Sequence, residues 1–149
     1  MEKTKDFSKT ESFCLRGRSF NVEVKHWSTE GYPEFGISPE EHWCLYVIIG
    51  KKHPLFQSAR KNVSDYDTEL GQKIYSNWHG GCTYYDKQVS YVKIGCDYSH
   101  VFDEEFWVCK EMPSEVEKDA RELYKFFEES EKQFLKDVLQ EKGEKNEEK

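Results

Sequence analysis

Three short segments hold the residue types that ligand binding or acid–base chemistry requires. Trp78-His79-Gly80-Gly81-Cys82-Thr83-Tyr84-Tyr85 sets a histidine between a tryptophan and two glycines. Gly95-Cys96-Asp97-Tyr98-Ser99-His100-Val101-Phe102-Asp103 spaces Asp97, His100 and Asp103 at intervals of three. The stretch from Lys51 to Lys61 contains His53 and four formal positive charges, Lys51, Lys52, Arg60 and Lys61, without one acid.

Each segment suggests a chemistry. If the chain turns helically through 97–103, residues three apart share a face, so the aspartates can orient an imidazole or coordinate beside it. Together with His53 and His79 this gives three imidazoles and two carboxylates. That set suffices for a divalent first-row metal, or for acid–base work in which an aspartate fixes a histidine tautomer, with His79, His100 and Asp97 as catalytic candidates. No H-x-x-x-H pair, H-E-x-x-H helix or C-x-x-C pair is present, so a divalent metal stays an option without a defined ligand set.

Gly80 and Gly81 admit two readings. Glycines permit positive φ in a tight turn, with His79 packed on Trp78. They also clear space for backbone amides to approach an anion, while Trp78, Tyr84 or Tyr85 offers a flat surface for a base. The basic stretch likewise reads either as a solvated loop beside a strand or as a phosphate site using Lys51, Lys52 and Arg60. Cys82 and Cys96 fall near His79 and His100, yet on strands with apolar neighbours, where a thiolate is disfavoured. A cysteine nucleophile is therefore not expected.

These residues need a scaffold. Phe20 to Lys25 alternates apolar and polar as a half-buried strand does, and Trp43 to Ile49 is a continuous apolar run suited to a central strand covered on both faces. Turn residues fill 31–39, and 63–70 reads as a loop with a short helical turn. Cys82–Tyr85 and Ser90–Cys96 form an antiparallel hairpin with Val92, Ile94 and Cys96 on one face. Ser114 with Glu117 predicts a capping box, from which a helix runs to Lys142. Val116, Ala120, Leu123, Phe127, Phe134 and Val138 form its apolar stripe, and Gly143 opens a charged tail. The reading is one α+β domain over 12–142, an antiparallel or mixed sheet with one long C-terminal helix, between a disordered arm, 1–11, and a disordered tail, 143–149.

Composition narrows the partners. A net charge of −7 argues against DNA or RNA polymers, whose affinity comes from lysines and arginines that displace counterions. The longest apolar run, Trp43 to Ile49, is far short of the roughly 20 residues that cross a bilayer, and the polar start resembles no secretion signal. Five scattered cysteines suggest buried free thiols rather than a disulfide framework. The expectation is a cytoplasmic protein without membrane contact; a homo-oligomer is compatible with it.

The order Tyr46 to Phe56, Trp78 to Tyr84 and Ile94 to Asp103 resembles an uncharacterised family of small phage and prophage proteins. Its members carry a glycine-histidine-proline segment, a histidine-glycine-glycine-x-threonine-aromatic segment and a glycine-x-aspartate-x-x-histidine-x-x-aspartate segment. The resemblance covers about residues 43 to 105 and places His53, His79, Gly80, Gly81, Thr83, Asp97, His100 and Asp103 on motif positions. Lys52 stands where the pattern has glycine, Tyr98 where it has cysteine, and Phe102 where it has a small residue. The resemblance implies a phage protein in the cytoplasm of an infected or lysogenic bacterium. It implies no activity; the residues themselves suggest one polar pocket, built by His53, His79, Asp97, His100 and Asp103, that takes a small anionic or nucleotide ligand, and phage origin points to a nucleotide signal of host defence. Hydrolysis of such a nucleotide, or an acidic surface that blocks a host complex, are the alternatives.

Overall fold

The computed structural model describes residues 11–63, 65, 67–99 and 101–147. Five strands, β1 (Glu11–Arg16), β2 (Phe20–Thr29), β3 (Glu40–Gly50), β4 (Tyr84–Lys87) and β5 (Tyr91–Asp97), form an antiparallel sheet in the order β1-β2-β3-β5-β4. The helices are α1 (Phe56–Asn62), α2 (Glu69–Asn77) and α3 (Ser114–Glu147). The α+β class and the long C-terminal helix are as the sequence indicates, and β3 is the central strand. No helix among the described residues is long and apolar enough to cross a membrane.

Strand alternation sorts the side chains. Phe20, Val22, Val24 and His26 of β2 face inward with Trp43, Leu45, Val47 and Ile49 of β3 and with Val92, Ile94 and Cys96 of β5. Against them pack Phe56 and Ala59 of α1, Leu70 and Ile74 of α2, and Val116, Ala120, Leu123 and Phe127 of α3. All of the helices lie on this one face. The expectation that β3 is covered on both faces is thus corrected: Tyr46 and Ile48 on its outer side are only half-buried. That face is covered partly by its own side chains, since the Tyr46 ring lies where a Cβ at Gly95 would sit, 2.4 Å from the nearest ring carbon. The apolar run of β3 reflects this local cover rather than a second layer.

Other departures have local causes. The second half of the basic stretch, from Phe56 on, forms α1 instead of a loop because Phe56 and Ala59, three apart, share one buried face, while Lys51 and Lys52 stay in the turn before it. Thr68 starts α2 by accepting a hydrogen bond from the Gly71 amide at 3.0 Å, a cap that polar neighbours obscure in sequence. In α3 Glu117 donates its amide to the Pro113 carbonyl at 3.1 Å, and its carboxylate pairs with Arg121 at 3.0 Å, so the expected capping box gives way. The helix runs through Gly143 to Glu147. At 1.5 Å per residue its 34 residues span about 51 Å, against roughly 37 Å for the 11 residues of β3. It therefore overhangs the sheet: Val116 to Phe127 are buried, whereas Phe134, on the same stripe, is 48% exposed. Glu11 belongs to β1 rather than to an arm, and residues 1–10 lie outside the described residues.

Candidate functional site

The structure does not gather the four described residues of the expected pocket, His53, His79, Asp97 and Asp103. His53 follows β3 at the sheet end where β2 begins, and it is 3% exposed between Phe20 and Phe127. The Leu55 amide donates to His53 Nδ1 at 3.0 Å, so the other nitrogen carries the hydrogen and donates to the Phe127 carbonyl at 3.0 Å. Burial pushes its pKa down, against the Phe127 bond and the charge of Glu131. His53 is a neutral core residue that fastens the β3–α1 turn to α3.

His79 sits at the opposite end. It stacks on Tyr98, at 4.2 Å between ring centroids, and Tyr98 continues β5 by bonding Trp43. Trp43 and Gly50 are seven residues apart along β3, roughly 23 Å at 3.3 Å per residue. The basic residues Lys51 and Lys52 therefore lie at the far end of the sheet from His79. Arg60 is turned elsewhere again, donating to the Gln88 carbonyl at 2.5 Å.

What does assemble is His79 with Asp103. Its Nε2 bonds Asp103 Oδ1 at 2.7 Å; the carboxylate side chain is 1% exposed and the imidazole 20%. A 3-10 turn, Val101–Phe106, delivers Asp103 from beneath, and Phe106 closes edge-on against both His79 and Tyr98. Tyr98 donates to Asp119 of α3 at 2.6 Å. Burial pushes the Asp119 carboxyl up, with the Tyr98 bond and the charge of His79 opposing. Gly80 and Gly81 take φ of 66° and 84°, the left-handed values that turn the chain from Trp78 into β4. Trp78 itself is buried at 6% exposure and belongs to the core rather than to a stacking surface.

Asp97 precedes Tyr98, so it projects to the other side of the sheet. There its Oδ2 accepts from Thr83 Oγ1 at 3.2 Å and its Oδ1 from the Ser99 amide at 3.0 Å. Tyr84 stands on the same outer side, 5.3 Å edge-on to Tyr46. The single pocket thus resolves into the His79–Asp103 pair on the helix side, Asp97 with Thr83 on the outer side, and His53 in the core. His100 lies outside the described residues. No group of three metal-ligating side chains is gathered among the described residues.

No family model, curated protein or solved structure matches the chain. Roles must therefore come from the geometry.

A second buried polar cluster escaped the sequence reading. His26 Nε2 donates to Glu41 Oε1 at 2.8 Å, Ser28 Oγ donates to the same oxygen at 2.6 Å, and His26 stacks on Trp43 at 4.1 Å. Burial raises the Glu41 carboxyl's pKa, but the bonds from Ser28 and His26 and the charges of His26 and Lys110 outweigh it and leave it lowered. The only sequence signal was register: in an antiparallel pair of β2 and β3, His26 and Ser28 fall opposite Trp43 and Glu41.

The described cysteines are unpaired. Burial pushes Cys44 up to about 11 and Cys96 further, whereas Cys14 is exposed. In a native titration with Ellman's reagent, Cys14 reacts at least ~100-fold faster than Cys96, which becomes reactive only on unfolding.

Proposed function

We propose that the protein binds a small phosphate-bearing molecule at the sheet end where His79 and Asp103 meet, with His79 as the group that contacts the phosphate. The supporting observation is the 2.7 Å bond from a one-fifth exposed imidazole to a carboxylate that is 1% exposed. A buried carboxylate fixes the ring's orientation, and stacking on Tyr98 restrains it further. The same pairing favours a second reading, hydrolysis of that ligand, because a carboxylate that orients an imidazole prepares it to move a proton. The resemblance to phage proteins makes a nucleotide signal of host defence the ligand class to test first. Sequestering or destroying such a signal suits a small phage protein.

The test is incubation with a panel of cyclic and ADP-ribose nucleotides, removal of unbound ligand, heating, and chromatography of what is released. Intact nucleotide supports sequestration, and a converted nucleotide supports hydrolysis. His79→Gln weakens retention ~30-fold, about 2 kcal/mol for a hydrogen bond to a charged group. Asp103→Asn weakens it ~10-fold by releasing the ring's orientation. Retention of no nucleotide, or retention unchanged in His79→Gln, overturns the reading.

A further inference from the structure

The loop between β2 and β3 holds three large apolar side chains in solvent: Phe35 is 76% exposed, Tyr32 60% and Ile37 49%. The loop is well fixed. Tyr32 and Ile37 exchange backbone bonds at 2.8 and 3.0 Å, Phe35 donates to the Tyr32 carbonyl at 2.9 Å, and Pro33 opens a 3-10 turn that Gly36 closes at φ 74°. A Cβ at Gly31 would meet the Ser38 backbone at 2.5 Å. A rigid turn that displays Phe, Tyr and Ile has little ordering entropy left to lose on binding. Exposed Glu30 and Glu34 flank it, and no lysine or arginine occurs between Lys25 and Lys51. It is an acid-rimmed aromatic knob.

At the opposite end of the same strands lies its complement. The overhanging part of α3, the β1–β2 turn and the turn after β3 enclose a groove of about 460 Å³. Phe134, Leu135 and Pro54 form its apolar wall, and the exposed cations Arg18 and Lys52 stand at its edge. Glu131 is turned inward, accepting from the amide and the hydroxyl of Ser19. Among the described residues neither Arg18 nor Lys52 has a carboxylate partner.

We infer that the knob of one copy seats in the groove of a second copy, Phe35 against Phe134 and Leu135, with Glu30 and Glu34 facing Arg18 and Lys52. Knob and groove lie at opposite ends of strands about ten residues long, so one molecule cannot join its own. The contact is heterologous and propagates head to tail. A membrane suits the knob less well, because anionic headgroups repel its acidic rim. The interface is small, which makes assembly reversible and dependent on concentration.

Sedimentation velocity from about 1 μM to 1 mM tests this. The parent chain forms species that grow with concentration and shrink with added salt. Phe35→Ser and Arg18→Glu each leave a monomer with an unchanged melting temperature, since both side chains are exposed. Mixing those two variants gives a 1:1 dimer and nothing larger, because one intact knob meets one intact groove. Three results overturn the inference: a parent chain that stays monomeric at 1 mM, larger species that survive Phe35→Ser, or loss in Phe35→Ser without loss in Arg18→Glu. Binding of the monomer to phosphatidylcholine or phosphatidylserine vesicles that depends on Phe35 overturns it as well.

Discussion

Replacing His53 with leucine lowers the unfolding free energy by about 3 kcal/mol, read as a shift of the urea midpoint at constant slope. The ring supplies an acceptor to the Leu55 amide and a donor to the Phe127 carbonyl, both at 3.0 Å, and it packs edge-on against Phe20. Leucine fills much of the space but leaves the buried groups unpaired, at ~1–3 kcal/mol each. Proton linkage gives an independent signature. Burial holds the folded pKa of His53 below its ordinary value near 6.5, so between the two values the unfolded chain binds more protons than the folded one. Stability therefore rises with pH through that window. The contribution is complete above about pH 6.5 and is lost as the pH falls toward the folded pKa. His53→Leu removes this component of the pH dependence. Because His53 bonds Gly50 at one end of β3 while the His79 pair stacks on Tyr98, bonded to Trp43 at the other, the folded fraction of the variant keeps the parent's affinity for any nucleotide retained there. A ligand bound by His53 would instead be lost in proportion to the substitution.

The sequence carried the fold wherever one periodicity was sufficient. Alternation marks β2 and β5, and the stripe from Val116 to Phe127 marks α3, since each buries one face against the same core. It failed where burial depended on a distant partner. His53 stands in a basic stretch and looks like a phosphate ligand, but Phe127, 74 residues away, makes it a core residue. Tyr98 occupies a motif position between two polar residues and is nevertheless fully buried, because β5 runs one residue further and Asp119 receives its hydroxyl. The interval of three linking Asp97 to Asp103 suggested a shared face. A strand end followed by a 3-10 turn instead sends the two carboxylates to opposite sides of the sheet. His79 with Asp103 is therefore the part of the expected pocket that local spacing alone could not have paired.

Glu41→Ala is expected to cost about 3 kcal/mol, and its consequences reach the ligand site. Deleting the buried carboxylate leaves the groups that donate to it without an acceptor, the situation in which a buried polar group costs most. Here His26 and Ser28 both lose their acceptor, at 2.8 and 2.6 Å. Glu41→Gln keeps an oxygen where both donors can reach it, so it costs less, about 1 kcal/mol. The acid limb separates the two effects. The folded pKa of Glu41 is lowered, so below the ordinary carboxylate value the unfolded chain binds more protons, and stability falls as the pH drops toward the folded pKa. Glu41→Gln flattens that limb while leaving stability at pH 7 nearly intact. The connection to function runs through the backbone. Glu41 donates its amide to the Trp107 carbonyl at 2.7 Å, and Trp43, stacked on His26, donates Nε1 to the Cys109 carbonyl at 3.0 Å. These bonds tie down the segment that follows Asp103 and Phe106, the two residues closing on His79. Loosening it in Glu41→Ala raises hydrogen exchange at Trp107 and Cys109 and weakens nucleotide retention, although Glu41 touches neither His79 nor the ligand. Unchanged exchange in that segment would show that the His26–Glu41 pair stabilises the sheet without positioning Asp103.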